Sequence, residues 1–146
     1  MDYSFYGALS GVFFSIFAWF YLYDPEFRQL WMMYIGSGFF MFIIMLYMLK
    51  LARQDNKNSR LITIAGHFAV IVGIIVSVGI CYFLCFIYKP EVFSTSAISG
   101  GKPGDSLLHV FVPAILVNFF AGSFVCLLSG LLIKRNLQAK ENPASL

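Results

Sequence analysis

The sequence predicts an all-α, polytopic integral membrane protein. It reads as a single transmembrane domain over residues 1–146, built as an antiparallel bundle of four transmembrane helices. Three observations predict this. First, only 12% of the residues are charged and 60% are hydrophobic, with a mean hydropathy of +0.80, whereas a soluble domain carries roughly 25% charged residues. Second, four apolar stretches, near 3–23, 25–50, 61–88 and 106–133, each reach the ~20 residues that cross a hydrocarbon layer. Third, small residues recur at every fourth position in three of these stretches. This is how helices pack where the surrounding lipid is as apolar as the side chains and close approach replaces water exclusion.

The first stretch carries Gly7, Gly11 and Ser15 at a four-residue spacing, with Trp19, Tyr21 and Tyr23 near its end. Amphipathic rings favour the headgroup level. Asp24-Pro25-Glu26 then reads as a helix start: a capping carboxylate, a proline at the first helical position and an acid at the positive end of the dipole. The connection is short, so the first two helices should form an antiparallel hairpin. Lys50, Arg53, Lys57 and Arg60 are spaced three, four and three, and share one face if the backbone stays helical there. They read as an orientation signal at a membrane boundary, with a patch for anionic lipid or a partner as the alternative.

The third stretch organises the rest. Leu61 to Ile87 holds no charged residue, and Ala65, Ala69, Gly73, Ser77, Cys81 and Cys85 form a low ridge along it. Each four-residue step drifts about 40° around a helix, so Ala69, Gly73 and Ser77 are the part that can face one partner. Glu91 to Pro103 is rich in Ser and Gly and reads as a loop within the connection 89–105. Asp105 is the expected N-cap of the fourth helix, and Pro113 should kink that helix or bound a frayed first turn. Ala114, Asn118, Gly122, Cys126 and Gly130 repeat the small-residue spacing. A ridge-to-ridge pairing of helices three and four is therefore expected. The polar tail 134–146 should be loosely ordered.

Lys and Arg counts orient the chain. Lys50, Arg53, Lys57, Arg60, Lys134, Arg135 and Lys140 fall on one side, and Arg28, Lys89 and Lys102 on the other. The positive-inside rule places both termini in the cytoplasm. A cleavable signal peptide is not expected, because no Lys or Arg precedes the first apolar run. Uncleaved helices and short loops suit a bacterial inner (plasma) membrane. Cys81, Cys85 and Cys126 all fall within helices, as packing residues rather than a disulfide framework.

No Asp, Glu, Lys or Arg lies inside the four apolar cores. That weighs against cation-coupled antiport of the small multidrug type and against paired-carboxylate hydrolysis, both of which need an ionisable group at depth. No metal, cofactor or nucleic acid is expected. His67 and His109 sit at opposite ends of the bundle, about 25–30 Å apart, so they cannot jointly ligate one haem or metal. Ser15, Ser37, Ser77 and Asn118 fall at similar depth and suggest a polar layer, with Ser77 bonding Asn118 across helices three and four. Met41, Met45 and Met48 are spaced like a thioether pair in copper-uptake channels, but a methionine stripe at helical spacing is more commonly packing. Asn118 followed by Gly122-Ser123-Phe124 is similar to the Asn-x-x-Gly-Ser-Phe segment of small four-helix fluoride channels. The gap here is one residue longer, which turns Gly122 by about 100°, and no site residue carries over.

The reading that follows is a non-enzymatic accessory or assembly subunit, or a homo-oligomer, with the bilayer and another membrane protein or itself as partner. Its packing residues would be Gly7, Gly11, Ala69, Gly73 and Gly122. A small channel or carrier for a neutral or anionic solute, using His67, Asn118 and Ser77, is the alternative. A haem or redox subunit sharing ligands with another chain is the second alternative.

Overall fold

The structure, a computed structural model, describes residues 2–23, 30–54, 58–88 and 107–141. These form four helices: α1 (Asp2–Tyr23), α2 (Leu30–Arg53), α3 (Ser59–Tyr88) and α4 (Leu107–Glu141). Each holds a segment long and apolar enough to cross a membrane. The Asp24-Pro25-Glu26 start and the 89–105 connection lie outside the described residues. Among the described residues, α2 begins at Leu30.

One boundary differs from expectation, and the condition on the basic face is not met. The polar tail is helical as far as Glu141. Its residues, among them Leu137, Gln138, Ala139 and Lys140, are strong helix formers with no breaker before Pro143. Lys50, Arg53 and Arg60 do not share one helical face, because α2 stops at Arg53 and α3 starts afresh at Ser59. The cause is Asn58. Its side-chain oxygen accepts from the amides of Arg60 (3.1 Å) and Leu61 (3.4 Å), so it caps a new helix. Lys57 lies outside the described residues.

The helices are arranged so that α1 packs on α2 and α3, and α4 packs on α2 and α3, with α2 and α3 also touching. The most extensive contact is α1 with α3. These two run parallel, in a register that sets Gly7 on Ala69, Gly11 on Gly73 and Ser15 on Ser77. A Cβ on Gly7 would lie 2.5 Å from the carbonyl oxygen of Ala69, and one on Gly11 would collide with the carbonyl of Gly73. Two rows of small residues thus bring the backbones together, with Val72 and Val76 packed beside the glycines.

The partner of the α3 ridge is therefore α1, not α4 as the shared spacing suggested. Ala69, Gly73 and Ser77 do face one helix, but α4 meets the adjacent face and meets it differently. There, Val70 fills the notch at Gly122, Thr63 fills the notch at Gly130, and Cys126 lies over Gly66. The α3–α4 contact is large-into-small rather than ridge on ridge. It tolerates the wider separation that Val and Thr side chains impose, whereas only the α1 series is bare enough for backbone contact.

The core is filled mainly from α2. Phe40, Ile44 and Met48 are fully buried. The Phe40 ring lies against both Gly73 and Gly122, and the Met48 sulfur against Gly66. At the α1–α2 seam Tyr6 stacks on Tyr47 with centroids 5.1 Å apart. Beside them Lys50 pairs with Asp2 and lies over the Tyr6 ring.

Gly11→Leu should lower the melting temperature in detergent, by an overpacking cost of about 1–3 kcal/mol. Gly79 has nothing within 4 Å of its Cβ direction, so Gly79→Ala should be neutral or stabilising by up to ~1 kcal/mol, since Ala exceeds Gly in helix propensity. Thermal unfolding of both variants in one detergent checks the pair; equal melting temperatures would contradict this packing.

Candidate functional site

The interior polar side chains are the candidates, because no Asp, Glu, Lys or Arg lies in the apolar cores beside them. Ser10, Ser15, Ser37, Ser77 and Asn118 are all buried. The sequence-level polar layer of Ser15, Ser37, Ser77 and Asn118 is thus inside the bundle, on four different helices. Its bonding differs from expectation.

Most hydroxyls turn back onto their own helix. Ser10 donates to the Gly7 carbonyl at 2.7 Å, Ser15 to Gly11 at 2.7 Å and Ser77 to Ile74 at 2.9 Å. This i−3 or i−4 back-bonding satisfies a hydroxyl without any neighbouring helix. Ser15 also reaches across to the Ser77 carbonyl at 3.4 Å. This bond follows the α1–α3 register, where the backbones are close enough for a short side chain to span the gap.

The anticipated Ser77–Asn118 bond does not form. The Ser77 hydroxyl is committed to Ile74. Asn118 is 1% exposed, and its side-chain oxygen has no hydrogen-bond partner. The geometry explains why. Val70 opposes Gly122 across α3–α4, so one turn earlier on antiparallel α4, Asn118 falls level with Ile74 rather than Ser77. Ser123 on the next turn also has an unpaired hydroxyl oxygen. Asn118 carried a sequence signal as an amide in an apolar run; Ser123 carried one only through its place in the Gly122-Ser123-Phe124 segment.

His67 is half-buried on α3, and its Nδ1 lies 2.8 Å from the Thr63 carbonyl. A carbonyl oxygen only accepts, so Nδ1 carries the hydrogen and, in the neutral ring, Nε2 keeps the lone pair. Thr63 in turn donates to the Ser59 carbonyl at 2.9 Å, so the first turns of α3 form a ladder of back-bonds. The side chain of His109 lies outside those described. The methionine stripe divides: Met48 is core and Met45 faces outward, so it lines no common channel. Cys81, Cys85 and Cys126 are buried with no disulfide among them.

The sequence reading missed two features. One is the Phe40 ring wedged between Gly73 and Gly122, which needs the three-dimensional register to be seen. The other is a cleft between α3 and α4 lined by Arg60 and Lys134, residues 74 positions apart whose proximity follows from the antiparallel pairing.

Asn118→Leu should leave the melting temperature unchanged or raise it, because a buried unpaired acceptor costs about 1–3 kcal/mol and Leu removes it. Thermal unfolding in detergent measures this, and a marked loss would mean that Asn118 has a bonded partner. Comparison with known proteins returns no matching family model, no matching curated protein and no matching solved structure.

Proposed function

We propose that the chain is a non-enzymatic accessory or assembly subunit of a membrane, acting through its outer surface on another membrane protein or on a second copy of itself. The observation that carries this reading is the filled axis. Phe40, Ile44, Met48 and Val70 occupy the middle of the bundle with essentially no exposure, and the polar side chains around them bond mainly to their own helices. A single chain packed in this way favours work done at its periphery.

The packing glycines, however, do not serve that periphery. Gly7, Gly11, Gly73 and Gly122 are all used inside the chain. Substituting Gly11 or Gly73 would therefore report on the fold of the chain and not on its partner. The open positions are Gly38 and Gly79, which leave shallow notches among exposed apolar neighbours such as Phe42, Ile75 and Phe83.

We read the location as a plasma membrane of the bacterial inner type, with both termini cytoplasmic. Support comes from the clustering of Lys50, Arg53, Arg60, Lys134 and Arg135 at one end of the bundle, where α2 ends, α3 begins and the apolar part of α4 ends. A second reading, a carrier for a small neutral or anionic solute, is favoured by the unpaired oxygen of Asn118, which a passing donor could occupy.

Purification at native expression in a lipid-preserving detergent, with mass and absorbance recorded together, tests the proposal. A particle containing a second protein or a second copy in fixed ratio is expected. A 16.5 kDa monomer without a partner would overturn it and direct attention to solute flux in Asn118→Leu and His67→Ala. A Soret band would point instead to a haem subunit with His67 as one ligand.

A further inference from the structure

Where α3 begins and α4 leaves its apolar part, the two helices part to form a cleft of about 230 Å³, lined by Ser59, Arg60, Thr63, Ile64, Leu127 and Lys134 among others. Its two ends differ in chemistry. Thr63 opposes Gly130 in the antiparallel register, so Arg60 and Lys134 lie at the outer end of the cleft. Leu127 lies about 10 Å deeper along α4 than Lys134. Among the described residues no carboxylate pairs with Arg60 or Lys134; the nearby ion pair is Lys50 with Asp2. The deeper wall is apolar and open: Ile64 is 43% exposed, Leu127 53% and Leu131 64%.

We propose that this cleft binds one anionic phospholipid, with its headgroup phosphate between Arg60 and Lys134 and an acyl chain along Ile64, Leu127 and Leu131. Charge complementarity selects the headgroup: two cations with no carboxylate partner among the described residues favour a net negative lipid over a zwitterionic one. The apolar floor, continuous with the outer surface, favours a lipid over a free phosphate, which would leave that floor uncovered. The backbone of α3 contributes little by hydrogen bonding, because Asn58 already accepts from the amides of Arg60 and Leu61. The Ser59 hydroxyl lines the same end and can donate to a phosphate oxygen. Gly130 makes the site, since the notch that admits Thr63 sets how closely the two cation-bearing turns approach. This differs from a general basic boundary, in which every Lys and Arg near the surface would contribute alike.

The test is native mass spectrometry of the full detergent-solubilised chain, titrated with phosphatidylglycerol and separately with phosphatidylcholine. One saturable phosphatidylglycerol adduct is expected, bound at least tenfold tighter than phosphatidylcholine. Arg60→Gln and Lys134→Gln should each weaken it about fivefold, the worth of one basic residue near a lipid surface. Arg53→Gln, whose side chain lies outside this cleft, should change it less than twofold. All three positions are exposed, and unchanged melting temperatures would show that the variants fold. An equal loss in all three variants would overturn the site in favour of diffuse surface charge. Equal binding of the two lipids would overturn the headgroup selection. Displacement of the lipid by millimolar inorganic phosphate would overturn the lipid as occupant and assign the cations to a free anion.

Discussion

The constraint on which the structure depends is the bare backbone that Gly7 and Gly11 present where α1 crosses α3. Gly7 and Gly11 lie on the carbonyls of Ala69 and Gly73, so the two backbones touch. At this separation Cα–H groups face carbonyl oxygens, contacts worth about 0.5–1 kcal/mol each, and van der Waals attraction acts along both helices. Ser15 can then reach the Ser77 carbonyl, a bond that a wider spacing would forbid. The larger side chains fit around this approach: Val72 and Val76 pack beside Gly7 and Gly11, Val70 and Thr63 go toward α4, and the ring of Phe40 goes into the space between Gly73 and Gly122.

Much of this was legible in the chain itself. Four apolar segments and the four-residue spacing of small residues were enough for the number of helices and for the seam running through Gly73. The partner of that seam was not, because α1 and α4 carry the same spacing and a one-dimensional pattern cannot rank them. What separates them is what each notch meets. Gly7 and Gly11 on α1 sit on backbone carbonyls of α3, with Val72 and Val76 beside them, whereas Gly122 and Gly130 on α4 meet the side chains of Val70 and Thr63. The end of α4 was misjudged for a related reason: polarity marks where a helix leaves an apolar medium, not where its backbone stops being helical. Among the candidate residues, Asn118 was correctly singled out as an amide at depth. Its bonding was not, since the match with Ser77 rested on depth alone, and depth carries no information about which way a helix face is turned.

The interior polar groups share a logic. A hydroxyl that bonds the carbonyl one turn back brings no demand for water and no preference for a partner helix. Ser10, Ser15 and Ser77 can therefore sit at a tightly packed seam as small residues that happen to be polar. An amide has more atoms to satisfy and cannot hide in this way. That is why Asn118, unlike Ser10, Ser15 and Ser77, is left with an unfilled acceptor.

The parallel pairing of α1 with α3 also bears on how the chain is made. The two contacting series lie 62 residues apart. At the ~5–20 residues per second of synthesis, roughly 3–12 s separate the emergence of Gly11 from that of Gly73. During that interval α1 and α2 can already form their hairpin, with the Tyr6–Tyr47 stack and the Lys50–Asp2 pair in place. The glycine groove on the flank of α1 stays vacant until α3 arrives. The nascent hairpin thus passes through a stage in which its most adhesive surface is uncovered, and any foreign helix with a matching bare ridge would compete for it. Rapid delivery of the third segment, tethered by the few residues between Arg53 and Ser59, gives the native partner a kinetic head start.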